Sequence, residues 1–265
     1  MSVLLHISDT HFGTEQPPVI EALATLARQQ RPALVVLSGD ITQRARRAQF
    51  QAAHAFTERL GAPVLAVPGN HDLPLFDWWT RLRRPYAAHA QAFGADLEPV
   101  HVSTGLLVVC VNTTRAWRHK HGEVSARQID RVAGLLAGAG TAQLRVVVVH
   151  QPAAVNRAEE LPNRLRGSGA ALQRWAAAGA DLVMGGHIHL PYVMGCPGLA
   201  RPIWVVQAGT AVSSRVRRGV PNSVNLVRWG ADAGEGCCRI EQWDFAAATQ
   251  AFVRAAVTEV RPARP

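Results

Sequence analysis

The chain has 265 residues, 48% of them hydrophobic, with 22 Gly, 16 Pro, four Cys and a formal net charge of +9. This composition supports a sizeable core and excludes a low-complexity, coiled-coil or repeat protein. The longest apolar runs are strand-sized, well below the roughly 20 residues of a membrane-spanning helix, and Met1 to Ile7 lacks the charged leader of a signal peptide.

In chain order, Val3–Ile7 is a near-continuous apolar run, the pattern of a strand buried on both faces. It delivers Ser8-Asp9-Thr10-His11, and residues two apart on an extended backbone face the same side, so Asp9 and His11 can converge on one point. Pro17–Gln30 reads as a helix with Ile20, Leu23, Ala24 and Ala27 on one face. Leu34–Leu37 is a second buried strand ending in Ser38-Gly39-Asp40. A helix over about Ala45–Leu60, stopped by Gly61 and Pro63, leads to a third strand, Val64–Val67. That strand runs into Pro68-Gly69-Asn70-His71-Asp72. A turn uses Pro, Gly, Asn and Asp for backbone reasons, but not His, so Asn70 and His71 are both candidate metal ligands from the residues alone.

Leu73–Gly94 is expected to be helical with a break at Pro85, and Val100–Val111 to be a hairpin turning at Thr104-Gly105. Asn112–Gly122 is a polar loop, and Ser125-Ala126-Arg127-Gln128 has capping-box form before an apolar helix face. Arg145–Val149 is a buried strand ending in His150-Gln151-Pro152. After a polar loop and a helix from Ser168 to Ala178, the short strand Asp181–Met184 ends in Gly185-Gly186-His187-Ile188-His189. The runs Ile203–Gln207, Ser223–Trp229 and Cys238–Phe245, without helical patterns between them, are expected to pair antiparallel as a second sheet. No linker divides the chain, so residues 1–265 are read as one domain.

Cys110, Cys196, Cys237 and Cys238 form no C-x-x-C pair, which indicates neither a zinc knot nor a disulfide framework; a reduced, cytoplasmic protein is the expectation. The net charge is compatible with a nucleic-acid partner but does not favour one. The cations are scattered, Lys120 is the only lysine, and the Arg and Ala bias fits genome composition. Short clusters occur at Arg44/Arg46/Arg47, Arg81/Arg83/Arg84 and Arg215/Arg217/Arg218.

Five strands thus end in groups able to bind metal: Asp9 and His11; Asp40; Asn70 and His71; His150; His187 and His189. Carboxylate, amide and imidazole without thiolate suit Mn, Fe or Zn, and seven or eight donors exceed what one ion needs. Two ions bridged by a carboxylate would use them all.

The series Asp9-x-His11, Gly39-Asp40, Gly69-Asn70-His71-Asp72, His150 and Gly186-His187-Ile188-His189 resembles the calcineurin-like metallophosphoesterases, above all their class III cyclic-nucleotide-phosphodiesterase branch. The resemblance implies an α/β fold, a four-layer αββα sandwich of two mixed sheets flanked by helices, with a dinuclear metal site at strand C-terminal ends. It implies Asp9, His11, Asp40 and His189 around the first metal, and Asn70, His150 and His187 around the second, with Asp40 bridging. It makes His71 the general acid that protonates the leaving oxygen, oriented by Asp72, while a metal-bridging hydroxide attacks. The implied substrate is a small phosphodiester, with a cyclic nucleotide such as cAMP leading. Alternatives are a nucleotide-sugar lipid, a dinucleotide, a phosphoprotein or a nucleic acid. Some relatives keep the fold only as a protein-binding scaffold after losing ligands, but here every ligand position holds a competent residue.

Three positions depart from the commonest pattern: Asp72 for Glu, Ile188 for Thr, and Gln151 where a second His is frequent. None removes a ligand. Candidate phosphate contacts are Arg115, His119 and His121 in the first loop, Arg157, Arg164 and Arg166 in the second, and Gln207 to Thr210 after a late strand. His54, His89 and His101 lie outside any motif and are read as structural or exposed.

Overall fold

Strands β1 (Ser2–Ile7), β2 (Leu34–Leu37) and β3 (Val64–Ala66) lie side by side and parallel. Their alternate side chains enter two different cores. Val3, Leu5, Ile7, Val35 and Leu37 pack under helices α1 (Pro17–Gln30) and α2 (Arg47–Glu58), while Leu4, Leu34 and Val36 face the other way. Burial on both faces is why these strands read as continuous apolar runs rather than alternating ones. The same division recurs in β5 (Leu106–Cys110), β6 (Leu144–Val148) and β7 (Leu182–Gly185). Leu107, Val109 and Val147 pack under α5 (Ala126–Ala137) and α6 (Ser168–Ala177), and Leu106, Val108, Val146 and Val148 meet the side chains of the first sheet.

Two six-stranded mixed sheets therefore stack face to face between layers of helices, the αββα sandwich that the motifs implied. The structure, a computed structural model, describes residues 2–75, 77–230 and 236–264. Among these, no helix is long and apolar enough to cross a membrane.

The late strands do not form a sheet of their own. β9 (Trp204–Gln207) joins the second sheet parallel to β7, with β8 (Tyr192–Gly195) antiparallel on its outer edge. β10 (Ser223–Trp229) and β11 (Cys238–Ala246) instead extend the first sheet, β10 pairing antiparallel with β1. The pattern gave strand type correctly, but partner choice depends on which sheet edge still has unpaired backbone groups. The edge strands β8 and β12 (Ala251–Val260) escaped the sequence reading. Residues 253–257 of β12 are exposed and rich in Ala, so they carry little strand signal.

The expected Leu73–Gly94 helix is two short ones, α3 (Trp78–Arg83) and α4 (Ala87–Phe93), parted around Pro85. The predicted hairpin is present as β4 (Val100–Val102) against β5, and Ser125 caps α5 with Gln128 in a capping box.

Candidate metal centre

The C-terminal ends of β1, β2 and β3 in one sheet and of β6 and β7 in the other meet at one edge of the sandwich. Each chain turns sharply there. Asp9, His11, Asp40, His187 and His189 all adopt positive φ, between 42° and 74°. Left-handed backbone costs a non-glycine residue roughly 1–2 kcal/mol, so this concentration of it marks a place where side-chain direction outweighs backbone preference. Backbone bonds hold the turns together: Asp9 N donates to Gly39 O (3.0 Å), His11 N to Asp40 O (3.0 Å) and Gly186 N to His150 O (2.9 Å). Two motif glycines permit the close approach. A Cβ on Gly69 would collide with the backbone and carboxylate of Asp40, and one on Gly186 with Ser8 and the Asp9 carboxylate.

Donor atoms consequently crowd into two adjoining groups. In one, His189 Nε2 lies 3.2 Å from Asp9 Oδ1 and 3.2 Å from His11 Nε2, and His11 Nε2 is 3.8 Å from Asp9 Oδ1. In the other, His150 Nε2 lies 3.2 Å from Asp40 Oδ1 and 3.3 Å from Asn70 Oδ1. Together with Asp40, His150 also forms a three-donor set with His187. Asp40 touches both groups, its Oδ2 being 3.9 Å from His11 Nε2. Ligand bonds of about 2.0–2.2 Å put donors around one ion about 3–3.5 Å apart, so the 3.2–3.3 Å spacings fit metal coordination and His11 lies a few tenths of an ångström wide of its carboxylate neighbours.

The hydrogen bonds around the rings strengthen the fit. His150 Nδ1 is 2.8 Å from Ser38 O, and His189 Nδ1 is 2.5 Å from Arg215 O. A carbonyl only accepts, so both Nδ1 atoms carry hydrogen, and in the neutral rings both Nε2 lone pairs face the site. His150 Nε2 then opposes the Asn70 carbonyl oxygen, and two acceptors 3.3 Å apart call for a cation between them. His11 Nδ1, both ring nitrogens of His187 and Asp9 Oδ1 are buried with no hydrogen-bond partner among the described residues. Such orphaned groups are costly unless something coordinates them.

The titration of the cluster expresses the same demand. Burial resists ionisation of Asp9 and Asp40, yet His189 and His150 respectively hold both carboxyls below their ordinary range. Burial likewise resists charge on His150, but the Asp40 carboxylate beside it pushes the ring up to about 9. His187, desolvated and facing His150, is lowered to about 3. The carboxylates draw in positive charge, as a proton or as a metal ion.

His71 sits on the open side of this floor. Its backbone N donates to Asp40 Oδ1 (2.8 Å), its ring stands edge-on to His11 with centroids 4.9 Å apart, and its Nδ1 is 3.1 Å from Gln43 O. Asp72 was expected to orient His71 and instead turns inward. Its buried carboxylate accepts from the backbone N of Gly69 (2.8 Å), Ile41 (3.0 Å) and Thr42 (2.8 Å), and from Thr42 Oγ1 (2.9 Å). It thus clamps the Asp40 turn to the Asn70 turn, and the group that fixes the His71 ring is the Gln43 carbonyl. The Asp72 pKa rises to about 7, chiefly through burial and then through the Asp40 charge, against those three N–H donors.

Above the floor opens a cavity of about 460 Å³. Asp40, Asn70, His71, His187, Ile188 and His189 line its base, and His119, Lys120, Glu160, Asn163, Arg215 and Arg217 its outer wall. Of the six loop residues singled out in the sequence, only His119 lines it. Arg115 bonds Asn112 O, Thr114 O and Gln128 instead, Arg157 pairs with Glu159, and the exposed Arg164 and Arg166 lie outside the lining, as does His121. Gln207 and Thr210 do approach the site, from behind. Gln207 Nε2 donates to Gly186 O (2.6 Å), and Thr210 Oγ1 to the same Arg215 O that meets His189 (2.9 Å). The sequence reading missed Glu160, Asn163, Lys120, Arg215 and Arg217 as lining residues; only the Arg215/Arg217/Arg218 cluster gave a signal.

Residues 2–191 match the family model described as calcineurin-like phosphoesterase. A glycerophosphodiester phosphodiesterase of Enterobacter lignolyticus is 36% identical over 83 residues, 26% of this chain and 29% of that protein. A probable cyclic nucleotide phosphodiesterase of a Synechococcus strain is 29% identical over 80 residues, 27% of this chain and 31% of that protein. The chain thus matches under a third of the length of these curated relatives. A dimetal phosphatase of Danio rerio superposes with a TM-score of 0.67 over 99% of both chains at 13% identity, a likeness of fold.

Proposed function

The chain belongs to the calcineurin-like phosphoesterase family, and from that premise we propose that it hydrolyses a phosphodiester at a pair of metal ions. One observation carries the reading. Asp9, His11 and His189 form one donor group and Asp40, His150 and His187 another, with Asp40 touching both and His71 facing them from the open side.

Asp9, His11, Asp40 and His189 would hold the first ion, and Asp40, Asn70, His150 and His187 the second. Mn or Fe suits this mixed oxygen and nitrogen set, and Zn also fits it. When bound, the ions supply an activated water at neutral pH and positive charge for the phosphoryl oxygens. His71 is left over once these seats are filled, although it lies close enough to His11 and Asp40 to compete as a ligand. Its Nδ1–H is held by Gln43 O, so its Nε2 is the atom that carries a proton to the departing alkoxide. Asp72 supports catalysis by holding the Asp40 and Asn70 turns in register, not by touching the acid.

A 3′,5′-cyclic nucleotide such as cAMP is the first substrate to test, because the motifs resemble that branch and a relative is named for it. The outer wall favours a second reading, a diester with a further anionic group, because Lys120, Arg215 and Arg217 there face one carboxylate, Glu160. The deciding experiment is metal analysis followed by a panel with Mn: bis(p-nitrophenyl) phosphate, cyclic nucleotides, glycerophosphodiesters, dinucleotides, nucleotide-sugar lipids and nucleic acid. Metal uptake with turnover of at least one diester is expected. A protein that takes up neither Mn, Fe nor Zn and is inert towards bis(p-nitrophenyl) phosphate is a scaffold instead.

A further inference from the structure

Of the chain's 28 lysine and arginine residues only one, Lys120, is a lysine, and it lines the cavity above the metal centre. Elsewhere this sequence meets the need for a cation with Arg. A lysine ammonium is a compact point charge on a flexible stem, whereas a guanidinium is a broad planar fork. The exception therefore stands in the wall of the cavity, where a compact point charge replaces the usual fork.

Lys120 does not hang from a loose loop. Arg81, buried in α3, donates to Ala116 O (2.7 Å) and Arg118 O (2.8 Å), and Arg118 pairs with Glu123 at 2.9 Å. Gln151 Nε2 donates to Lys120 O (3.3 Å), while Gln151 Oε1 accepts from Thr113 Oγ1 (2.6 Å). Gln151 directly follows the donor His150 and is buried, so it fastens the Lys120 backbone to the strand end that bears that donor. The buried glutamine and the solitary lysine belong to one device.

The charges of the outer wall separate into engaged and available ones. Arg217 pairs with Glu160 and lies 3.9 Å from Glu159, and Arg215 donates to Gln43 Oε1 (2.6 Å). Among the described residues no carboxylate lies within ion-pairing distance of Lys120, although its charge reaches both Glu160 and His187. The donor groups of the floor account for the scissile phosphoryl group, and the cavity extends well beyond them.

Building on the phosphodiesterase reading, we propose that Lys120 binds a second anionic group of the substrate, so that the preferred substrate is a diester bearing a further phosphate or carboxylate on its retained arm. A cyclic mononucleotide, with a single negative charge, leaves this contact unused.

Two measurements test it with Mn-loaded protein. The first compares phenyl 4-nitrophenyl phosphate with 4-carboxyphenyl 4-nitrophenyl phosphate, which share a leaving group and differ by one charge. Because Lys120 is exposed, its contact is worth a modest factor: Lys120→Gln should raise KM for the carboxylate ester about three- to tenfold. KM for the phenyl ester and metal content should stay within about twofold, and Lys120→Arg should restore only part of the loss. An equal effect of Lys120→Gln on both esters overturns the proposal. The second measurement needs no turnover. With one lysine in the chain, acetylation by acetic anhydride can be followed at Lys120 by peptide mass spectrometry, and inorganic diphosphate should slow it more than inorganic phosphate does. Equal or absent protection also overturns the proposal. If neither ester is hydrolysed but diphosphate protects, the phosphodiesterase reading fails while the anion contact stands.

Discussion

Asp9, His11, Asp40 and His150 on the floor of the cavity are at most 2% exposed, whereas His119 and Lys120 on its rim are open to solvent. The floor comes from strand ends, each donor within a few residues of a buried strand, and it carries most of the strained backbone among the non-glycine residues. The rim comes from three distant segments, around Lys120, Glu160 and Arg217, joined by side-chain bonds such as Arg217 to Glu160. The proposed reaction rests on the floor, where rigid packing can support left-handed turns and desolvated charges. On the proposed function, substrate choice would belong to the rim, where a loop can change without disturbing the core.

That division can be broken most severely at Asp40, which touches both donor groups. Asp40→Ala should deplete both metal positions and lower kcat by on the order of 10³-fold or more, checked by elemental analysis beside steady-state kinetics. Retention of two ions per chain in that variant would mean Asp40 does not join the groups. His71 lies on the boundary between floor and rim. His71→Ala should keep the metal content while kcat falls about 10²–10⁴-fold for an alkyl leaving group and far less for p-nitrophenolate, which departs without a proton. Loss of an ion from this variant would make His71 a ligand and reassign the acid.

A third test contrasts the floor with a histidine outside it. His89 is fully buried beside Phe50 and Phe93, with no hydrogen-bond partner for either ring nitrogen among the described residues. Burial alone lowers its pKa from 6.5 to about 4, whereas His150, equally buried, is raised because Asp40 faces it. Above pH 6.5 the His89 ring is neutral in both folded and unfolded chains and stability does not depend on it. As pH falls from 6.5 to 4 the unfolded chain gains a proton that the folded one refuses, so stability declines by about 3 kcal/mol in all. His89→Leu should remove that part of the acid loss, read as a smaller drop in urea midpoint between pH 7.5 and pH 5. An identical drop in both proteins would show that His89 does not titrate in this window.

The strands and helices that frame the site were legible because each donor follows an unbroken apolar run, and periodicity reports burial directly. The seven residues whose side chains converge at the site could be named for the same reason: they are local to strand ends. Three matters were not local. The sheet that each late strand joins depends on the free edges of two sheets, so Ile203–Gln207 and Ser223–Trp229 parted company despite similar sequences. Asp72 stands next to His71 in sequence but turns to the backbone of Ile41 and Thr42, because a short 3₁₀ turn sends the two neighbouring side chains apart.

The outer wall is the third. Motif order and spacing placed carboxylate, amide and imidazole groups at five strand ends, and the family that those motifs resemble implied the two-sheet sandwich. The sequence marks Lys120 only as the solitary lysine and Arg217 only as one of a short Arg cluster, and neither mark says that Lys120, Glu160 and Arg217 line a cavity while Arg115, Arg164 and Arg166 do not. Arg81 and Gln151 anchor the loop that carries Lys120, and the Arg217 bond to Glu160 joins the other two segments, so hydrogen bonds across tens of residues, not the chain's own period, fix where these loops point.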